Sequence, residues 1–196
     1  YREKGLRVFA GLEIDYCVEI HQELKKRLVD EYKIDYMLGS VHLVNDYLDI
    51  MIPSEAERIF KNIHPEEFYA NYFCEIEKLI DSGLFKSIAH IEGYRRYGAG
   101  HNAAYADNAL IPFAHFARIF EKLHKKEMTI EINLSLFRDG RDVTNPVEPV
   151  LKLAHDCGIR KVAIGSDAHR LKDLAISIDR AVDLCRKIGF GVFSLQ

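Results

Sequence analysis

The stretch AIGSDAHRL, residues 163–171, joins the end of an apolar segment to two side chains that can bind metal ions. The preceding residues, 161–164, have the apolar, β-branched character of a buried strand. Asp167 and His169 lie two positions apart beyond that strand, so both can point the same way out of its carboxyl end. Barrel enzymes present metal ligands at such strand ends. The stretch therefore predicts a strand whose carboxyl end lies at a functional site.

Short apolar strands alternate with helical patterns along the rest of the chain. One predicted helix ends at Gly83, a second opens at Asn145-Pro146 and ends at Gly158, and a third covers residues 172–188. The predicted strands cover residues 7–14, 35–42, 86–91, 128–134, 161–167 and 191–195. This alternation predicts an α/β fold with a parallel sheet and helices outside it.

Composition limits both the size and the partners of this protein. A chain of 196 residues that is 48% apolar predicts one domain over residues 1–196. The net charge of -3 argues against nucleic acid as the main partner. Four cysteines without a CxxC pair indicate reduced thiols, and neither a membrane span nor a signal peptide is apparent. We therefore expect a cytoplasmic protein with no membrane partner.

Potential ligands recur at the ends of five successive predicted strands. Each has an ordinary explanation when taken alone, since a single histidine is more often a hydrogen-bonded structural residue and a glutamate after a strand is often a helix cap. Together they gain weight because the carboxyl ends of parallel strands converge on one face. Such imidazoles and carboxylates suit zinc, manganese or iron. The residues are Glu13, His42, His90, Glu131 with Asn133, and Asp167 with His169.

The motifs that contain these residues resemble successive motifs of the PHP superfamily of metal-dependent phosphoesterases, in its histidinol-phosphatase branch. The resemblance covers nearly the whole chain, and GSVH and GSDAH are its most specific elements. The stretch over residues 69–98 favours histidinol phosphatases over polymerase-associated PHP domains. The matching motifs are GLEIDY, IDYMLGSVHLV, FYANYFCEIEKLIDSGLFKSIAHIEGYRRYG, IEINLSLFR and AIGSDAH.

This resemblance implies a distorted (β/α)7 TIM-like barrel that holds two or three divalent metal ions and hydrolyses small phosphomonoesters. Histidinol phosphate is the most specific substrate that it implies. By motif position, Glu13 would bridge two metals, and His42 and His90 would ligate one. Asp167 and His169 would complete neighbouring positions, so that Glu13 and Asp167 act at the reacting atoms.

Two arginines are candidates for binding the substrate phosphate. Arg138 occupies the position of the family's phosphate-contacting arginine and is a predicted catalytic residue, because a guanidinium can bind phosphate oxygens with two hydrogen bonds. Without the resemblance, a solvated loop arginine is an equally good interpretation of Arg138. Arg170, beside His169, is a weaker candidate for the same role.

The chain departs from the family pattern in two places. The family's HxH strand and a further histidine strand would precede Glu13, but only twelve residues do so. We therefore expect an N-terminally incomplete PHP domain that lacks its first strand–helix units and some metal ligands. Its bare edge at residues 7–14 would then be open to another chain or to oligomer formation. In AHIEG, Glu92 replaces the family's aspartate, so we expect it to orient His90 less well.

Two classes of function therefore stay open at this point. The first is a phosphatase, or a fragment of one, that acts on a small phosphorylated substrate. The second is an inactive or partial remnant that binds metal or phosphate or serves as an assembly partner. A nuclease ranks third because the acidic balance gives nucleic acid little to bind.

Overall fold

The strands of this protein form one large parallel sheet and one small hairpin. The structure is a computed structural model, and it describes Gly5, residues 8–44 and residues 48–192. The strands are β1 (Gly11–Asp15), β2 (Tyr36–Ser40), β3 (Leu43–Val44), β4 (Leu48–Asp49), β5 (Ser87–Ile88), β6 (Thr129–Asn133), β7 (Lys161–Gly165) and β8 (Gly191–Val192). The large sheet has the order β1-β2-β5-β6-β7-β8, with every pair parallel, and β3 pairs with β4 in antiparallel fashion.

Helices connect the strands of the large sheet. They are α1 (His21–Leu24), which continues as a π-helix over Lys25–Glu31, α2 (Pro53–Asn62), α3 (Pro65–Ser82), α4 (Arg95–Gly98), α5 (Phe113–Lys125), α6 (Ser135–Arg138), α7 (Glu148–Asp156) and α8 (Ile178–Ile188). Helices α3, α5, α7 and α8 pack against one another in chain order. Within the described residues, no helix has both the length and the apolar character that crossing a bilayer requires.

The predicted parallel α/β architecture is confirmed, while several element boundaries differ. The predicted strand over residues 86–91 pairs only at Ser87–Ile88, so His90 lies in the loop that follows it. The third helix begins at Ile178 instead of residue 172, because Ala175 and Ser177 have φ angles of 61° and 55° that an α-helix cannot contain. Arg7 and residues 193–195, which the predicted first and last strands include, lie outside the described residues.

The sheet is open in the part of the chain that the structure describes. Strands β1 and β8 lie at its two edges and do not pair with each other. The closed, distorted barrel that the motifs imply is therefore not seen among the described residues.

A cluster of aromatic side chains fixes the segment that follows β5. Phe68 and Tyr72 of α3 stack with their ring centroids 5.6 Å apart, and both rings meet Tyr94 edge-on. The Tyr72 hydroxyl donates a hydrogen bond of 3.0 Å to the carbonyl oxygen of Ile91. Because aromatic pairs and a buried hydrogen bond hold both sides of this segment, its first residues, including His90, have a fixed position.

Gly39 of strand β2 lies against side chains of the hydrophobic core. A Cβ atom at Gly39 would lie 2.7 Å from Cγ of Phe85 and 3.0 Å from Cδ1 of Leu79. Real Cβ contacts are longer than this, so a side chain at this position would force the Phe85 ring or the strand to move. Glycine at this position therefore keeps β2 in register beside β5, immediately before the site residues of both strands.

We expect Gly39→Ala to destabilise the protein by about 1–3 kcal/mol, because it overpacks a dense core. The free energy of unfolding, measured by urea denaturation, tests this expectation. Gly100→Ala is the matched control, since its Cβ would meet only the Tyr97 carbonyl oxygen at 3.6 Å. Equal stability of Gly39→Ala and the wild type would show that the contact with Phe85 is not restrictive.

Candidate metal centre

Three potential metal ligands meet at the carboxyl ends of neighbouring strands. Nε2 of His90 lies 2.8 Å from Oε1 of Glu13, and Nε2 of His42 lies 3.8 Å from the same oxygen. The two Nε2 atoms are 3.5 Å apart, and the imidazole rings stack with an interplanar angle of 17°. In the described part of the chain, Glu13, His42 and His90 are the one group of three such ligands that converge this closely. We call them the donor group.

The parallel order of β1, β2 and β5 brings the donor group together. Glu13 lies within β1, His42 follows β2 by two residues, and His90 follows β5 by two residues. Since adjacent parallel strands end on the same side of a sheet, side chains at these positions face one another across short distances. The three residues therefore meet without any long loop.

Hydrogen bonds to the main chain hold both histidines of the donor group. The backbone N–H of His42 donates to Oδ1 of Asp15 at 2.7 Å, and that of His90 donates to Oε2 of Glu131 at 3.0 Å. Burial raises the pKa of Asp15, and the hydrogen bond from His42 opposes that rise without cancelling it. The carboxylates of Asp15 and Glu131 therefore hold the main chains of His42 and His90 in place.

Contacts within the donor group shift the pKa values of its three members in different directions. Burial acts to raise the pKa of Glu13, but the hydrogen bond with His90 and the charges of both histidines outweigh it and lower that pKa. Burial acts to lower the pKa of His90, yet its contact with Glu13 raises the net value. The pKa of His42 is lowered by burial and by the neighbouring His90. The contact between Glu13 and His90 therefore favours the charged form of each of them.

The donor group fits a divalent transition metal. Two imidazole nitrogens and one carboxylate oxygen are ligands that zinc accepts, and three protein ligands leave one position for water or substrate. Bonds of ~2.0–2.1 Å in tetrahedral geometry place ligand atoms about 3.3 Å apart. The observed separations of 3.5 Å between the two nitrogens and 2.8 and 3.8 Å to the oxygen bracket that value.

The other predicted ligands line the same cleft but stand apart from the donor group. The cleft has a volume of about 890 Å³, and Asp167 and His169 belong to its wall. Asp167 has a left-handed φ of 49°, and its carbonyl oxygen lies 3.0 Å from Nδ1 of His169. The His169 side chain is 79% exposed. The structure therefore places all five predicted ligands at one cleft. Only Glu13, His42 and His90 lie close enough together to share one metal ion.

Both predicted phosphate-binding arginines also line this cleft. Nη1 of Arg138, which is half-buried at the end of α6, donates to the carbonyl oxygen of Asp167 at 2.6 Å. Arg170 is exposed at the rim. Arg138 contacts the Asp167–His169 loop and Arg170 directly follows it, so both arginines add positive charge to the cleft wall.

From the motif comparison we expected Glu92 to orient His90 less well than the family's aspartate would. In the structure, the Glu92 carboxylate does not orient His90. Oε1 of Glu92 accepts from Nε of Arg95 at 2.6 Å, and Oε2 accepts from the Val147 N–H at 2.7 Å, just before α7. The carboxylate that contacts the main chain of His90 belongs to Glu131. Glu92 therefore joins α4 to α7 and contributes to the site only through the backbone.

Several residues of the cleft escaped the sequence-based prediction. Asp15 carried a signal, because it lies two positions after Glu13 on the same strand and so points to the same face. Ser40 is the last residue of β2, and the others come from loops and short helices, where no periodicity places a side chain. The additional lining residues are Ser40, Met51, Arg96, Tyr97, Asp139, Lys172 and Asp173.

Fold and site together define a parallel α/β protein with a candidate divalent-metal site at its strand ends, and comparison with known proteins narrows this class. The chain is 28% identical over 179 residues to "Probable histidinol-phosphatase" of Clostridium acetobutylicum, covering 91% of this chain and 67% of that protein. It is 24% identical over 187 residues to "Histidinol-phosphatase" of Lactococcus lactis, covering 94% and 66% respectively. The chain thus spans about two thirds of the length of these curated relatives. No family model matches it.

A solved structure shares the fold. The histidinol phosphate phosphatase of Lactococcus lactis, crystallised with zinc, L-histidinol and phosphate, superposes with a TM-score of 0.79 at 22% identity. The match covers 97% of this chain and 70% of that one. The resemblance to histidinol phosphatases that the motifs indicate is therefore confirmed.

We expect His42→Ala to weaken zinc binding by at least tenfold, because the donor group then keeps only two of its three ligands. Isothermal titration of the metal-free chain with zinc measures this change. His64→Ala, which removes an exposed histidine at the start of α3, is the matched control and should bind zinc as the wild type does. Equal affinities for His42→Ala and His64→Ala would show that His42 is not a ligand.

Proposed function

We propose that this protein is a metal-dependent phosphomonoester hydrolase that converts L-histidinol phosphate and water into L-histidinol and phosphate. The observation that carries the proposal is that the donor group and two arginines line the same cleft. Metal ions and guanidinium groups can both stabilise the charge of a phosphate ester during hydrolysis. The relatives named histidinol phosphatases, one of them crystallised with L-histidinol and phosphate, support this choice of substrate.

The cofactor that we propose is a cluster of two or three divalent ions, of zinc, manganese or iron. Glu13, His42 and His90 would hold one ion, Glu13 would also reach a second, and Asp167 and His169 would serve the neighbouring positions. The zinc in the Lactococcus lactis structure supports this assignment. Bound metal would supply an activated water and neutralise charge on the phosphate oxygens.

The side chains of the cleft would then divide the remaining work. Arg138 would bind phosphate oxygens, because its guanidinium is already held in place by the carbonyl oxygen of Asp167. Arg170 would add a second positive charge from the rim. Glu13 and Asp167 would act at the reacting atoms by fixing the attacking water between the donor group and the phosphate.

A second function has one observation in its favour. His169 is largely exposed and lies outside the donor group, which agrees with a protein that binds metal or phosphate without turnover. Such a remnant would act as a binding protein or as an assembly partner.

The architecture around the site extends this proposal. We infer that residues 1–196 belong to one PHP domain and that the open sheet is a section of a distorted (β/α)7 barrel. Two open edges and a match to 70% of the Lactococcus lactis chain support this inference. The β1 edge would pair with further strands or with a second chain, since an unpaired parallel edge offers free backbone groups. We place the protein in the cytoplasm, where small phosphorylated metabolites occur.

Phosphate release tests the proposed activity. With zinc, manganese or ferrous iron added, the chain should release inorganic phosphate from L-histidinol phosphate, and a chelator should abolish the release because metal is required. The control substrate is a phosphomonoester without an imidazole, such as glycerol phosphate, which should react more slowly. Metal binding without hydrolysis of either ester would favour the binding protein instead.

Arg138→Ala should lower kcat/KM for L-histidinol phosphate by roughly ten- to a hundredfold, because a charge-assisted contact with phosphate contributes about 1.5–3 kcal/mol. Zinc content, measured by atomic absorption, should stay unchanged. Arg118→Ala is the matched control, since Arg118 pairs with Glu77 on the surface of α5, away from the cleft. An Arg138→Ala variant with wild-type kinetics would remove Arg138 from the phosphate site.

A further inference from the structure

A buried carboxylate and a buried amide lie side by side behind the donor group. Glu131 and Asn133 are two residues apart on β6 and therefore point to the same face of the sheet. Glu131 is 5% exposed, and Asn133 is fully buried. Nδ2 of Asn133 donates to Oε2 of Glu131 at 3.1 Å. Buried polar groups of this kind are costly unless they are fully hydrogen-bonded, so their partners indicate what they position.

Each member of this pair holds a different part of the site. Oε2 of Glu131 accepts the backbone N–H of His90, a member of the donor group, at 3.0 Å. Oδ1 of Asn133 accepts the backbone N–H of Ser135 at 2.9 Å. Ser135 is the first residue of α6, and Arg138 is the last. A continuous set of buried hydrogen bonds therefore connects the metal-binding side of the cleft to the phosphate-binding side.

The neighbouring strand leaves room for the carboxylate. A Cβ atom at Gly165 of β7 would lie 1.9 Å from Oε1 of Glu131, which no side chain can tolerate. The backbone of Asn133 is fixed as well, because it exchanges hydrogen bonds of 2.7 and 3.1 Å with Asn145. Glu131 and Asn133 therefore have little freedom to move independently of the strands.

We propose that Glu131 and Asn133 form a positioning pair that sets the distance between His90 and Arg138. This role rests on the proposed function, because it assigns metal to the donor group and phosphate to Arg138. Neither side chain of the pair touches the substrate. Glu131 acts through the main chain of His90, and Asn133 acts through the first turn of α6.

The proposal predicts how zinc affinity and phosphate affinity change together. Glu131→Ala should weaken zinc binding by about 10–100-fold, as loss of a residue that orients a ligand does. It should also weaken the binding of inorganic phosphate to the zinc-loaded chain, since Asn133 loses its partner. Arg138→Ala should weaken phosphate binding alone. Isothermal titration with zinc, and then with phosphate, measures both affinities.

Two further variants separate positioning from charge and from general stability. Glu131→Gln keeps an oxygen that can accept both hydrogen bonds, so its zinc affinity should stay within about threefold of wild type. Asn133→Asp keeps the acceptor for Ser135 but turns an oxygen towards Glu131, so it breaks the link within the pair and should weaken both zinc binding and phosphate binding. Val150→Ala, which leaves a cavity beside α7 away from the cleft, is the control for lost stability. It should change neither the zinc affinity nor the phosphate affinity.

The outcomes distinguish this proposal from the proposed function. Wild-type zinc and phosphate binding without ester hydrolysis would refute the phosphatase and leave the positioning test valid. Glu131→Ala with wild-type affinities, or Glu131→Gln as impaired as Glu131→Ala, would overturn the positioning role. A wild-type chain without zinc affinity would overturn it too. If Glu131→Ala does not fold, unchanged phosphate affinity in Asn133→Asp would overturn the proposal.

Discussion

The parallel pairing of β1, β2 and β5 is the constraint on which the site depends. Leu38 of β2 pairs with Glu13 on one side and with Ser87 on the other, so the three strands are in fixed register. That register brings Glu13, His42 and His90 together at the carboxyl ends of the three strands. A shift of two residues in any pair would move a ligand by ~6.6 Å, which exceeds the span of the donor group.

Apolar packing against the sheet holds the strands in this register and buries few polar groups. Gly39 lets β2 pass under Phe85, and the aromatic cluster around Tyr72 and Tyr94 holds the segment after β5. Carboxylates complete the support, since Asp15 and Glu131 each accept the backbone N–H of a donor-group histidine. The histidines thus keep their side-chain nitrogens available, because their main chains are held by other residues.

Side chains of both charge signs line the cleft. The donor group contributes a carboxylate and two imidazoles to the cleft wall, and Arg138 and Arg170 contribute two guanidinium groups. Because the chain has a net charge of only -3, the side chains of the cleft, and not an overall field, would decide whether a small anion binds there. Hydrogen bonds of Glu131 and Asn133, two buried residues of β6, connect the donor group to the helix that carries Arg138.

The sequence by itself determined the order of strands and helices, the parallel sheet and the positions of the strand-end ligands, because apolar periodicity and motif spacing are local properties of the chain. It also predicted that Glu13, His42 and His90 share one face with Asp167 and His169, since the carboxyl ends of parallel strands converge. The grouping of the first three around one metal ion came from the motif resemblance. Only the tertiary structure decided that Asp167 and His169 stand apart from that group, because the left-handed φ of Asp167 sets a loop direction that no periodicity encodes. The partners of Glu92 and Glu131 were likewise decided in three dimensions, since hydrogen bonds between residues 41 or more positions apart depend on how the elements pack.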